Sequence, residues 1–482
     1  MSPNDMLRGQ RQVCARAGYI GERCNAAVTE STYRRTVIAG AIVVGGGASG
    51  VLAAAQLLLR GAEVTLLEPA VELGLGMAYS TKCPLHLLNV RAGNMSALPD
   101  DSEHFLRWLQ STRPGQYADC SFAPRGLYGE YIRSVLDEAL RAGRGKFRHV
   151  GARAVGARVL TGNVAIETES SDVLYGEAAI LATGNTAPAG WPGLSPEVAS
   201  SGRFFNSAWM EGAFETADRH APVLLLGSGL TAVDALLALR HYGHRGKVYM
   251  LSRRGLLPQT HVLPVYRSIR QAPCTRLRDL LHGMRMAASR AAGLPAGWRE
   301  AVDSIRPGTN RHWQGLTVTE QRRFLRHLRP FWDTHRHRMA PQIGAVVQDS
   351  LRDGSLEILA GRTRGLRLVQ DGVEVTVAIR SCAETATVTV QRVVNCTGFD
   401  TDLSRSANPL LRNLMEQGWL QPDPLRMGAL ADDRGALLPA RGGWQPPLYA
   451  LGPLRMGQLL ESIAIPEIRV QARDLADLLM PE

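Results

Sequence analysis

The sequence contains no apolar run near the ~18–20 residues that a membrane-spanning helix needs. Its longest such stretch, Val51 to Leu59, is interrupted by Gln56 and stopped by Arg60, so the chain reads as soluble with no membrane partner. Cysteine is sparse. The seven cysteines (Cys14, Cys24, Cys83, Cys120, Cys274, Cys382 and Cys396) are widely spaced and contain no C-x-x-C. That pattern argues against a disulfide framework and a structural zinc site, and it fits a reducing cytoplasm. It also removes the closely spaced dithiol that a disulfide reductase requires. Aromatic residues are only 6% of the chain, and the arginines that carry most of the +11 net charge are scattered without aromatic interleaving. No nucleic-acid module is recognisable in that pattern. Residues 1–37 lack the apolar core of a secretory signal, and Asp5, Glu22 and Glu30 argue against a transit peptide, so this stretch reads as a flexible N-terminal extension.

What is present is a repeated grammar. Ile38 to Val44 has the composition of a strand buried on both faces and runs into GGGASG at 45–50. An Ala/Leu-rich helical pattern follows to Arg60, then a second buried strand, Val64–Leu67, ends at Glu68. The grammar recurs with a strand at Val223–Leu226, GSGLTA at 227–232, a helix over Val233–His241 and a strand at Lys247–Leu251, closed by Ser252-Arg253-Arg254. Two further buried strands end in Thr-Gly, at Thr183-Gly184 and at Thr397-Gly398, where the chain is expected to cross between domains. Residues 264–350 break the α/β rhythm with an Arg/Leu/His-rich helical pattern, and 356–390 alternates like a β-meander. The expected fold is α/β with two Rossmann-like dinucleotide-binding domains. The first is discontinuous, 38–218 and 391–482; the second, 219–390, is inserted into it and carries the helical insertion.

The loops carry the chemistry. In Gly45-x-Gly47-x-x-Gly50, which includes Ser49, the first glycine permits the turn, the second admits a pyrophosphate and the third lets helix and strand pack closely. The phosphates would rest on free N–H groups at the helix N-terminus, and Glu68 is placed to accept hydrogen bonds from ribose hydroxyls. The second loop, Gly227-x-Gly229-x-x-Ala232, has an allowed alanine in third place. Arg253 and Arg254 stand where an acid would otherwise end its second strand. Guanidinium groups pair with a 2′-phosphate that a carboxylate would repel. The two sites therefore want different dinucleotides, FAD at the first and NADPH at the second.

Together, several stretches carry a resemblance: VVGGGASG (43–50), GLGMAYS (74–80), HLLNVRAGNMSALPDD (86–101), FAPRGLYGEY (122–131), ILATGN (180–185), LLGSGLTAVDA (225–235), LSRRGLLP (251–258), VNCTGFD (394–400) and LYALGPLRMGQLLESIAIPEIR (448–469). Over about residues 38 to 480 the chain resembles the YdhS-like FAD/NAD(P)-binding family, related to class B and N-hydroxylating flavin monooxygenases. The resemblance implies that Leu448–Gly452 is the last strand of the FAD domain, with Gly452 near the ribityl chain. It implies too that a helix starts at Glu461 and points its positive end at the flavin, a dipole that favours the anionic reduced form. Residues 86–101 would cover the flavin's reactive face, with Asn89, Arg91 and Ser96 as candidate groups there or as loop-stabilising residues. Arg125 matches a position near the cofactor, or it caps a helix or pairs with Glu130.

His335 and His337 in THRHRMAP lie two apart, the wrong spacing for ligands on one helical face, so no metal is expected. Arg336 and Arg338 are candidates for an anion clamp or for a solvated helical face. FFNSAW (204–209) lacks the glycine and histidine of the Baeyer–Villiger fingerprint, which disfavours ketone-to-ester chemistry. The expected activity is hydride transfer from NADPH to FAD, capture of O₂ as a C4a-(hydro)peroxyflavin and oxygen transfer to a small-molecule nucleophile, an amine nitrogen or a sulfur. The alternatives are an NAD(P)H:acceptor flavin reductase or oxidase, and a non-catalytic flavin redox sensor.

Overall fold

The computed structural model describes residues 40–262, 276–380, 382, 384–440 and 442–481. The N-terminal extension, residues 38 and 39 of the expected first strand, the start of the helical insertion, and Cys14, Cys24 and Cys274 lie outside the described residues.

Strand β1 (Gly40–Val44) is buried at four of its five positions and leads through the first glycine loop into the helix Ala48–Leu59. Alanine and leucine are strong helix formers. Gly61, at φ +88°, stops the helix just past its C-terminus in the left-handed conformation that glycine adopts freely. Nine of the helix's 12 residues are buried, because it lies between the sheet and the helices Arg125–Arg141 and Ile465–Leu479. Burial on nearly every side explains its weak amphipathicity. The chain then returns as β2 (Glu63–Leu67), parallel to β1.

Strand β3 (Lys146–Val150) extends this sheet beyond β2. Strands β4 (Ala154–Leu160), β5 (Asn163–Thr168) and β6 (Val173–Gly176) form a separate antiparallel sheet, and β7 (Ala178–Leu181) rejoins the first sheet on the far side of β1. After β8 (Phe204–Phe205), the second unit opens with β9 (Val223–Leu226), the helix Leu230–His241 and β10 (Val248–Ser252). Strand β11 (Leu356–Val369) pairs in parallel with β10 over its first five residues, so the helical insertion, described from Leu277 to Arg352, is the crossover between two adjacent parallel strands. Beyond Gly361, β11 leaves β10 and forms the expected antiparallel meander with β12 (Gly372–Ile379) and β13 (Thr385–Val390).

The return to the first unit differs from expectation. Strand β14 (Arg392–Asn395) pairs with β9 and with β8, inside the second sheet, whose order is β13-β12-β11-β10-β9-β14-β8. A run of buried valines suits either sheet, and only pairing register distinguishes them. The crossing lies after Asn395, and the first sheet, β15-β7-β1-β2-β3, is completed only by β15 (Leu448–Ala450). Likewise Phe204 and Phe205, expected in the first domain, pair with β14 in the second sheet. The chain is thus a mixed α/β fold built on two parallel-strand sheets. Among the described residues, no helix is long and apolar enough to cross a membrane.

Candidate functional site

The two glycine loops are superposable in their logic. Gly45 and Gly227 begin them at φ +105° and +125°. A Cβ on Gly45 would lie 2.4 Å from the Ala182 carbonyl oxygen, and one on Gly227 would lie 2.6 Å from that of Cys396. Each loop is therefore crossed at van der Waals distance by a strand ending in Thr-Gly, β7 before Thr183-Gly184 and β14 before Thr397-Gly398. The middle glycines differ from the first. A Cβ on Gly47 would approach nothing nearer than the Gly76 Cα at 3.5 Å, and one on Gly229 would meet nothing within 4 Å. The protein leaves open space beside both middle glycines at the start of a 12-residue helix. That is the cradle a pyrophosphate needs. In third place, a Cβ on Gly50 would fall 1.8 Å from the Gly45 carbonyl oxygen, whereas Ala232 fits its own at full burial.

The strand ends differ as their residues demand. Glu68 accepts from the Gly46 N–H at 2.8 Å and the Ala70 N–H at 3.1 Å, which orients its carboxylate at the first loop. In the second loop, the Ser228 hydroxyl links to Ser252 Oγ at 2.7 Å and to the Leu256 carbonyl at 2.6 Å. This ties the loop to the segment carrying Arg253 and Arg254. Arg254 lies over the Phe331 ring, 5.0 Å from its centroid. Arg253 is exposed and makes no ion pair among the described residues. Arg253→Ala should therefore raise the KM for NADPH roughly ten- to a hundredfold with little change for NADH, the effect of one lost charge-assisted contact to phosphate. Arg254→Ala should act more weakly. Steady-state kinetics with both nucleotides check this, and equal effects on the two would refute the 2′-phosphate role.

Residues 86–101 and 122–131 are stitched to each other. The Leu88, Ala92 and Arg125 amides donate to the carbonyls of Ala123, Ser121 and His86. The buried Tyr128 hydroxyl donates to Met95, and that of Tyr131 accepts from the Ala97 N–H. Arg125 does not pair with Glu130, which instead faces Arg113. It makes an ion pair with Asp234 at 2.8 Å and donates to the Leu87 carbonyl at 3.1 Å. Asp234 sits in the helix of the second glycine loop, so Arg125 joins the two dinucleotide units. His86 does the same: its Nε2–H donates to the Asp234 carbonyl at 2.9 Å, which leaves Nδ1 to accept from Thr81 at 2.7 Å. Burial lowers the His86 pKa and keeps it neutral in that role. The sequence signal for Asp234 was available, since an acid in the middle of TAVDALLAL has to be buried with a partner.

Asn89 and Arg91 line a pocket of about 740 Å³ formed by residues 89–94, the helical insertion and the segment 461–470. Ser96 does not. It is fully buried, and its hydroxyl is held by the carbonyls of Leu98 and Asp101 and by the Leu98 N–H, so it serves the loop's own turn. Among the described residues six arginines line the pocket: Arg91, Arg299, Arg306, Arg336, Arg338 and Arg469. Its acids are Glu300, Asp303, Glu461 and Glu467. Arg336 and Arg338 are not on a solvated face. Arg336 holds Glu461 through two hydrogen bonds, 2.8 and 2.9 Å, and Arg338 pairs with Asp303. Glu461 therefore contacts Arg336 rather than opening a helix. The last helix begins at Ile465, with Pro466 in its first turn. His261 Nε2 donates to the Asn89 carbonyl at 3.0 Å, and burial together with Arg338 pushes the His261 pKa down to about 4. His335 donates to the Phe331 carbonyl, and no metal-holding group occurs among the described residues.

Residues 42–186 match the model of an FAD-NAD(P)-binding family. No curated protein sequence matches the chain. Among solved structures, the chain is similar to the ornithine hydroxylase PvdA of Pseudomonas aeruginosa at 15% identity, covering 92% of this chain and 98% of that one with a TM-score of 0.62. KtzI, an ornithine N-hydroxylase of Kutzneria sp. 744 solved with reduced FAD, NADP⁺ and L-ornithine, gives 15% identity, 91% and 98% coverage and a TM-score of 0.63. The L-lysine 6-monooxygenase of Pseudomonas syringae gives 16%, 92%, 99% and 0.61. These likenesses extend the two-unit fold over nearly the whole chain.

Proposed function

We propose that the protein is an FAD-dependent, NADPH-using monooxygenase that oxygenates a nucleophilic nitrogen of a small-molecule substrate. The observation that carries this reading is the pair of open glycine cradles joined by Arg125 and His86, with a separate charged pocket beside the 86–101 segment. One cradle followed by a carboxylate and one followed by a free arginine suit two different dinucleotides, and the similar solved folds include ornithine hydroxylases and an L-lysine 6-monooxygenase. Gly47, Glu68 and the first helix would hold FAD, which supplies hydride acceptance and oxygen activation when bound; Gly229 and Arg253 would hold NADPH.

The chain's own residues have three tasks. The Arg125–Asp234 pair and the His86 hydrogen bond keep the second glycine helix at a set distance from residues 86–91. The buried Arg336–Glu461 pair and the Asn310 side chain, which donates to the Glu461 carbonyl at 3.0 Å and accepts from its N–H at 2.9 Å, fix the C-terminal segment against the helical insertion along one wall of the pocket. A fixed wall limits the entry of water, whose exclusion an oxygenation needs if reducing equivalents are not to be lost as peroxide. Asn89 and Arg91 present polar groups to whatever enters. The similar solved folds also include disulfide reductases, but the described residues offer no redox dithiol for that chemistry. The four cysteines among the described residues are all free, and burial pushes the thiols of Cys83 and Cys396 above their usual range.

The test is coupling. Holoenzyme turning over NADPH in air with a panel of amines should yield hydroxylated product in proportion to NADPH consumed, with peroxide suppressed by the correct substrate. NADPH oxidation that always ends in peroxide, or that proceeds only with quinones or dyes, would make it a reductase or oxidase instead.

A further inference from the structure

The charges of the pocket do not balance. Among the described residues six arginines face four acids, and His261 is uncharged. Two arginines have carboxylates of their own: Arg336 has Glu461, and Arg306 has Glu467 at 3.5 Å. Arg469 donates to the backbone carbonyls of Ser96 and Leu98. Three others are grouped around Asp303. Arg338 is 4% exposed and pairs with Asp303, yet its Nε is buried with no hydrogen-bond partner among the described residues. Arg299 donates to the Thr260 carbonyl at 3.0 and 2.8 Å and lies over the Trp298 ring at 4.5 Å, and among the described residues it has no carboxylate in ion-pair contact, only the nearby charge of Asp303 that it shares with Arg338. Arg91 reaches outside the pocket only to Asp119, which is 67% exposed and 3.7 Å away, a contact that solvent weakens. Burial depresses the pKa of all three guanidinium groups, the mark of cations removed from water without full pairing.

Arg338 is buried and Arg91 and Arg299 are partly buried beside it, and cations withdrawn from water are stabilised by an anion. We propose that Arg91, Arg299 and Arg338 form an oxyanion-binding subsite, and that this pocket's substrate is a molecule of net negative charge whose carboxylate or phosphate group sits among them. The subsite rests on the reading of this pocket as the substrate pocket. A diamine of net positive charge would add to the existing excess, whereas an anionic substrate neutralises it. Guanidinium groups match the planar carboxylate and the phosphate face with paired N–H donors. The neutral His261 adds no further cation beside them.

Calorimetric titration of the FAD-loaded protein with inorganic phosphate, succinate and the carboxylate-free diamine 1,4-diaminobutane, each with and without saturating NADP⁺, tests this. Phosphate or succinate should bind in both nucleotide conditions, and 1,4-diaminobutane should not. Preference for phosphate would name a phosphate ester, and preference for succinate a carboxylate. Binding should weaken tenfold or more in Arg338→Gln and in Arg299→Gln, the loss of one charge-assisted contact. Arg299 touches only a carbonyl and a ring, so its variant keeps the test open should Arg338→Gln disturb the Asp303 pair. Three results would overturn the subsite: 1,4-diaminobutane binding where both anions fail, unchanged anion binding in both variants, or displacement of phosphate by NADP⁺ with loss of the signal in Arg253→Ala. The last would place the anion at the nucleotide. Anion binding without oxygenation of any substrate would leave the subsite standing and fell the monooxygenase reading, whereas oxygenation of cationic amines without anion binding would do the reverse.

Discussion

Gly47→Val should give a folded protein without FAD. At Gly47 the backbone is extended (φ −69°, ψ −175°), a conformation valine accepts, and the protein itself offers a Cβ no contact closer than 3.5 Å. Loss of glycine from the N-cap costs the helix at most about 1 kcal/mol. The added atoms would stand where the pyrophosphate must approach the backbone. Gly45→Val and Gly50→Val should behave differently, because there a Cβ meets a carbonyl oxygen at 2.4 and 1.8 Å and the fold itself must shift. The measurement is circular dichroism beside flavin absorbance of the purified variants. Colourless and folded for Gly47→Val, against poorly expressed or unfolded for the other two, is the expected contrast. The colourless variant should also melt earlier than the wild type, since it forgoes the stabilisation that a bound ligand confers by mass action. Full flavin content in folded Gly47→Val would mean that FAD binds elsewhere.

The second large effect is on stability. Arg336→Ala should destabilise the protein by about 3–5 kcal/mol, the cost of leaving one charge of a buried pair without its partner. The side chains of Arg336 and Glu461 are 8% and 5% exposed, so little water reaches the abandoned carboxylate. Its neighbour Glu467, already raised in pKa by burial and by Glu461, would feel the unneutralised charge more strongly. Replacing both partners with apolar residues, Arg336→Met with Glu461→Leu, should recover most of the loss, because no buried charge is then left unpaired. Urea denaturation of the single and double variants measures the difference. A single-variant cost below ~1 kcal/mol would show a pair that behaves as if solvated. Should the double variant regain stability yet show uncoupled NADPH oxidation, the pair matters for the pocket wall as well as for holding the fold.

The same two residues show where legibility ended. Arg336 and Glu461 are 125 positions apart, and Arg125 and Asp234 are 109 apart. Nothing local in THRHRMAP or in the C-terminal segment indicates which arginine meets which acid. Ser96 is a candidate from its place in the 86–101 stretch, but a serine that satisfies its own turn looks the same in sequence as one that faces a ligand. The boundary at 391 puts β14 with the first unit, whereas it pairs in the second sheet, for a related reason: a buried valine pair records burial, not the identity of the neighbouring strand.

Short-range physics accounts for what could be read without coordinates. The glycine spacings, the helices that follow them and the carboxylate–arginine contrast at the two strand ends rest on steric and electrostatic rules acting over a few residues. The helical insertion and the meander announced themselves by period. The fold alone decided that residues 89–94, the insertion and the 461–470 segment enclose one pocket, and that its arginines outnumber its acids. Those facts arise when distant segments are brought together by burial of apolar surface, a force that acts on the whole chain and leaves no record of its pairings in any single stretch.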